Sequence, residues 1–259
     1  MRLRICALAV AAALCAAQAS AAPVCHAASD PAARPLIELY TSEGCDSCPP
    51  AERWLSSRFA PDARQSGIAL AFHVDYWDRL GWVDRFASAQ YTARQYESMR
   101  ANGATFVYTP QVLLQGHDFA TWNSGDVAAI DAVAKSTPSA TISVDVTPGD
   151  RDVEVHAKAQ VVSGARTDAE LVVAYADSGL VSDIKAGENR GRRLAHDHVV
   201  RALRNAGGAD AGGRIDATLT LPRPSERGTH STLVAFVERP SNGDVLQALA
   251  VPLDACGTH

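Results

Sequence analysis

The spacing of apolar positions changes partway along the chain. Leu36–Thr41 is a short, mostly apolar run of β-forming residues and reads as a strand. After Pro49-Pro50, the residues Ala51, Trp54, Leu55, Arg58 and Phe59 fall at i, i+3, i+4, i+7 and i+8, which predicts a helix with one apolar face that stops before Gly67. Ile68–Val74 is a near-continuous apolar run, the pattern of a central parallel strand covered on both faces. Strand, helix and strand together imply a right-handed crossover. Trp82, Phe86, Ala89, Ala93 and Tyr96 recur at steps of four and three and predict a second helix ending before Asn102-Gly103. Phe106–Gly116 is β-rich, and Ser124–Lys135 reads as a third helix with Asn123 or Ser124 as N-cap.

From Pro138 onward short alternating runs take over. The segments 141–146, 153–157, 171–175, 217–221, 233–237 and 245–249 read as strands separated by turn clusters such as Pro148-Gly149-Asp150 and Asn242-Gly243-Asp244. This is the pattern of an antiparallel β-sandwich of Ig-like size. The Gly/Ala-rich stretch Asn205–Gly213 predicts a mobile loop, and residues 22–35 a loose lead-in. The resulting division is 1–21, an α/β domain over 22–137 and a β-sandwich over 138–259.

The first 21 residues carry a separate signal. Arg2 and Arg4 precede the apolar run Ile5–Ala17, and Ala19-Ser20-Ala21 has the small-x-small pattern of a cleavage site. The run is shorter than the roughly 20 apolar residues that span a bilayer. The expectation is a cleaved secretory signal and a periplasmic or secreted protein with no membrane anchor after cleavage. A formal net charge of -5 gives no reason to propose a nucleic-acid partner, which would call for a concentrated basic face, and none is expected. The processed chain keeps Cys25, Cys45, Cys48 and Cys256, an even number suited to an oxidising compartment. The close spacing of Cys45 and Cys48 predicts that they pair with each other, leaving Cys25 to pair with Cys256.

Cys45-Asp46-Ser47-Cys48 lies where a strand hands over to a helix, beside unpaired amide N–H groups and the positive end of the helix dipole, a setting that favours thiolates. Near a βαβ pattern this spacing is a redox signature. The other chemistry-bearing residues have plainer readings. Asp75, Asp78 and Asp84 read as caps or solvated carboxylates, and His73 as a hydrogen-bonded core residue. His196 and His198 read as an exposed strand pair, so no metal site is expected. Arg190, Arg192, Arg193, Arg201 and Arg204 read as a solvated basic face.

Four stretches carry a resemblance to known families: Tyr40-Thr41-Ser42-Glu43-Gly44-Cys45-Asp46-Ser47-Cys48-Pro49-Pro50-Ala51; Val74-Asp75-Tyr76-Trp77-Asp78 with Leu80-Gly81-Trp82; Tyr108-Thr109-Pro110-Gln111; and Glu188-Asn189-Arg190-Gly191-Arg192 with His196-Asp197-His198-Val199-Val200-Arg201. Residues 36 to about 136 resemble the thioredoxin superfamily, and nearly all of the processed chain resembles the bacterial family called domain of unknown function 1223. The resemblance implies an α/β thioredoxin-like domain followed by an all-β, Ig-like sandwich. It implies that Cys45 is the exposed attacking thiol, Cys48 the buried resolving thiol, and Pro110 a cis residue shaping a substrate groove, with Thr109, Tyr108, Trp77 and Asp75 beside it. Asp46-Ser47 stand where thioredoxins have Gly-Pro, and a carboxylate next to the thiols argues against a strong oxidant. The implied activity is thiol–disulfide exchange on a protein substrate, reset by a redox partner and needing no added cofactor. The alternative is a non-enzymatic module that binds protein or Cu(I), with a structural disulfide.

Overall fold

A computed structural model describes residues 24–60, 67–125, 127–162, 164 and 168–256, so the expected signal segment lies outside the described residues. The elements in order are β1 (Cys25–Ala28), β2 (Leu36–Thr41), α1 (Pro49–Arg58), β3 (Ile68–His73), α2 (Ala89–Ala101), β4 (Gln111–Leu114), β5 (His117–Asp118), α3 (Ala128–Ala134), β6 (Ala140–Pro148), β7 (Asp152–Val161), β8 (Glu170–Ser178), β9 (Leu180–Asp183), β10 (Arg193–His196), β11 (Val199–Gly208), β12 (Arg214–Pro222), β13 (His230–Glu238) and β14 (Val245–Pro252). A 3-10 turn, Asp75–Leu80, follows β3.

The strands form one eight-stranded sheet in the order β14-β13-β8-β11-β3-β2-β4-β5, a four-stranded sheet β1-β6-β7-β12, and the hairpin β9-β10. This corrects the expectation of an α/β thioredoxin-like domain followed by a separate Ig-like sandwich. The molecule is mostly β, and a single sheet runs from the early strands into the late ones. The seam is where β11 meets β3: Val199 is registered in parallel with Ala71, and the Ala71 N–H donates to the His198 carbonyl at 2.8 Å. The physical reason is that β3 is buried along its whole length. An open edge there would leave buried backbone groups unpaired, and β11 supplies their partners.

Three layers of side chains follow from the two faces of this sheet. Val144, Val155, Leu171, Tyr175, Leu233 and their neighbours fill the space between the four-stranded sheet and the late strands. On β2 and β3, Tyr40, Leu70 and Phe72 pack with Tyr91 of α2. The alternate residues Ile37, Leu39, Ala69 and Ala71 pack with Ala51, Leu55 and Phe59 of α1 and with Ile130 of α3. Arg94 of α2 clamps the early and late parts of the large sheet, donating to Glu38 at 2.8 Å and in a fork to Glu238 at 2.9 and 2.8 Å.

Other local expectations also change. The lead-in is partly a strand, β1, which pairs with β6 and is tied by a Cys25–Cys256 disulfide. Asn205–Gly208 belong to β11, and the turn is confined to residues 209–213, where the Asp210 carboxylate accepts from the Gly212 and Arg214 N–H groups. The helix predicted through Trp82 and Phe86 begins only at Ala89. Asp84 accepts from the N–H of Phe86 at 2.9 Å and diverts that stretch into turns, while Ser88 caps α2 through the Gln90 N–H at 3.2 Å. Among the described residues no helix is long and apolar enough to cross a membrane.

Candidate functional site

The register of β2 and β3 sets the site. Thr41 is opposite His73, and alternation turns both toward α1, one residue pair beyond Leu39 and Ala71. On α1 the buried face carries Ala51, Glu52 and Leu55, so a carboxylate lies on the apolar face one turn past Cys48. Glu52 Oε1 accepts from the Thr41 hydroxyl at 2.6 Å, and Glu52 Oε2 lies 2.7 Å from His196 Nδ1 at the end of β10. His196 Nε2 lies 3.3 Å from Glu43 Oε1, within ion-pair distance but without hydrogen-bond alignment. The Trp82 indole donates to Glu43 Oε2 at 2.6 Å. Asp84 Oδ2 lies 2.7 Å from His73 Nδ1 and accepts from the Glu43 N–H at 2.8 Å. The Phe86 ring packs edge-on against both imidazoles, at 5.3 and 5.4 Å between centroids. No member of this set of two histidines and three carboxylates is more than 6% exposed.

The electrostatics follow from burial working against close partners. Burial by itself would depress the His196 pKa, but Glu43 and Glu52 outweigh it and the imidazole is pushed up to about 10. Burial would raise Glu52, yet the hydrogen bonds from His196 and Thr41 hold it below the usual carboxylate range. Asp84 is held down in the same way, by His73 and two backbone N–H groups. Asp78, beside Asp84, is pushed up by burial and by its acidic neighbours.

Directly above this cluster along α1, Cys48 is the N-cap residue and is disulfide-bonded to Cys45. Both cysteines are fully buried, which corrects the expectation that Cys45 is exposed. The loop 184–192, between β9 and β10, is bonded to the backbone around them. Asn189 Nδ2 donates to the carbonyls of Glu43 at 2.8 Å and Cys45 at 2.9 Å, and Glu188 Oε2 accepts from the Asp46 N–H at 3.3 Å. The Arg192 guanidinium in turn donates to the Asn189 side-chain oxygen Oδ1 at 2.9 Å. Gly187 sits at φ +71°, where a Cβ would lie 3.1 Å from the Trp82 Cβ, so a bulkier residue would lift the loop.

The predicted groove residues divide into two groups. Trp77 packs on Gly44, where a Cβ would lie 3.1 Å from its own, and its indole donates to Thr109 Oγ1 at 2.8 Å; the Thr109–Pro110 peptide bond is cis. Tyr108 points to Asp118, to which its hydroxyl donates at 2.7 Å, and Asp75 accepts from Thr92 of α2 at 2.6 Å. His73 is the hydrogen-bonded core residue expected; Asp84 caps the turn through the Phe86 N–H but is buried against His73 rather than solvated, and His196 is not exposed. His198, at φ +59°, turns away toward Phe59 and Ser178. Arg201 reaches the buried Asp177 at 3.0 Å and so departs from the solvated basic face. Glu43 and Glu52 were missed altogether. The available signal was a glutamate on the apolar stripe of the helix after the cysteines.

Fold and site together define a mostly β protein with a buried, disulfide-bonded Cys-x-x-Cys pair mounted over a histidine–carboxylate cluster. The chain belongs to the family of proteins of unknown function DUF1223, whose model matches residues 36–238. It is similar to the crystal structure of protein AGR_C_4864 from Agrobacterium tumefaciens, at 27% identity and a TM-score of 0.58, over 85% of this chain and 94% of that one. It also shares its fold with HBP35 of Porphyromonas gingivalis, at 14% identity and a TM-score of 0.59, over 88% of this chain and 77% of that one. No curated protein matches it.

Proposed function

We propose that the protein is a thiol–disulfide exchange protein of an oxidising compartment outside the cytoplasm, acting through Cys45 and Cys48 on protein substrates. The observation that carries this reading is the disulfide closed at the start of α1, one turn from Glu52 and joined by the Glu43–Cys45 backbone to a buried set of proton-binding groups. The second disulfide, Cys25–Cys256, supports the compartment.

In the oxidised protein a substrate thiolate attacks Cys45 Sγ, and the Cys45–Cys48 bond breaks with Cys48 leaving as a thiolate that takes up a proton. The second substrate thiolate then attacks its own mixed-disulfide sulfur and releases Cys45, so two electrons pass to the protein and the substrate leaves as a disulfide. The reverse sequence reduces a substrate, and a redox partner restores the starting state. Because Cys45 is buried, exchange requires the 184–192 loop to move aside.

The reduction potential of the pair tests this, measured by equilibration in graded thiol buffers with mass counting of trapped thiols. A value within about -120 to -270 mV, with exchange on a peptide disulfide abolished by Cys45→Ser, supports the reading. A value well below about -300 mV refutes it and favours the second reading, a binding module stapled by a structural bond, which the complete burial of both cysteines favours.

A further inference from the structure

We propose that His73, His196 and Glu52 form a binding site for a divalent first-row transition-metal ion, Zn²⁺ in the first instance, one helical turn from Cys48. The three side chains each present a donor atom within 4.8 Å of the other two, and all three are buried. The hydrogen-bond pattern says which atoms converge. His73 Nδ1 is engaged by Asp84 at 2.7 Å, so the nitrogen left to bind is Nε2, which is buried without a hydrogen-bond partner. His196 turns Nδ1 to Glu52 Oε2 at 2.7 Å, and its Nε2 has Glu43 Oε1 behind it at 3.3 Å. The second oxygen of Glu52 is fixed by the Thr41 hydroxyl.

Each imidazole therefore has one nitrogen directed inward. Behind His73 the hydrogen-bonded Asp84 is the outer-shell arrangement that orients a metal-bound histidine and fixes its tautomer, and behind His196 Glu43 stands at ion-pair distance. Two imidazoles and one carboxylate make a three-ligand set that leaves a fourth position for water. Imidazole donors select Zn²⁺ and its first-row neighbours over Ca²⁺ and Mg²⁺, which take oxygen cages. Charge points the same way. Glu43, Glu52 and Asp84 are buried together, and among the described residues no lysine or arginine makes an ion pair with any of them.

The site contains no sulfur, so it can be tested apart from exchange activity, on the chain from Ala22 onward with both disulfides intact and no free thiol. After chelator treatment and desalting, Zn²⁺ and Co²⁺ are titrated by calorimetry and the retained metal is counted. The expected result is one ion per chain, with Co²⁺ giving the visible absorption of a low-coordinate nitrogen–oxygen site and no thiolate charge-transfer band. His73→Ala and Glu52→Gln are expected to weaken binding at least about tenfold, and Asp84→Asn about tenfold through loss of the partner behind His73. Glu52→Gln keeps the shape of the side chain, and circular dichroism verifies that each variant is folded. Wild-type protein that retains neither ion overturns the proposal. So does a folded Glu52→Gln that binds as tightly as wild type, or binding that develops only after the disulfides are reduced.

Discussion

Asn189 offers the most direct test of how the buried cysteine pair is reached. Its side-chain amide donates to the carbonyls of Glu43 and Cys45 at 2.8 and 2.9 Å, and it is fully buried in the loop beside the disulfide. Each such bond contributes about 1 kcal/mol net, so Asn189→Ala removes about 2 kcal/mol from the closed arrangement. If reduction proceeds from a loop-open state in rapid equilibrium with the closed one, the rate follows the open population. At 1.4 kcal/mol per factor of ten, the loss corresponds to about 30-fold faster reduction. The assay is the reduction rate of Cys45–Cys48 in excess dithiothreitol, followed by acid trapping and mass, with circular dichroism to verify folding. Glu188→Ala, which removes the longer and exposed 3.3 Å contact to Asp46, is the graded control and accelerates reduction by only about threefold. A folded Asn189→Ala protein that is reduced within about twofold of the wild-type rate would falsify the idea that this loop gates the disulfide.

Three further outcomes follow from buried charge and cross-linking. Arg94→Ala strands Glu38 and Glu238 without their shared partner and is expected to lower unfolding stability by about 3–5 kcal/mol in urea titration, with Glu38→Gln/Glu238→Gln in the same background recovering part of the loss. In the metal-free protein the folded-state pKa of His196 lies near 10, above its unfolded value of 6.5. Its contribution is therefore fully present below pH 6.5 and is lost as the pH rises toward 10, so Tm should fall over that interval and His196→Asn should flatten the slope. Replacing Cys25 and Cys256 together by serine opens a bond between residues 231 apart and is expected to cost up to about 5 kcal/mol, with the reduction rate of Cys45–Cys48 unchanged.

The Cys45–Cys48 pair at the start of α1 and the disulfide between Cys25 and Cys256 stand where the local pattern and the arithmetic of four cysteines put them. The cis Thr109–Pro110 bond was expected only from the family resemblance, and it is present. The apolar run of β3 was legible as a strand covered on both faces because a hydrophobic pattern reports how deeply a segment is buried. It does not report which segment lies beside it. A strand's edge hydrogen bonds are made by backbone, identical at every residue, and so β11 could close on β3 and merge two expected domains into one sheet without any mark in the sequence.

The candidate site was hidden for a related reason. His73 and Asp84 read singly as a core residue and as a cap or solvated carboxylate, and Glu52 drew no reading, because burial and partner are properties of the assembled fold. His196 comes from more than a hundred residues away, on a segment read as exposed and delivered by a hairpin of two short strands, and it meets Glu52 at 2.7 Å. The sequence determined which residues carry chemistry and where the strands and helices with strong periodicity run. Only the tertiary structure decided that two histidines and three carboxylates are buried together beside the cysteines, because charged groups take their meaning from distance and solvent, neither of which is written along the chain.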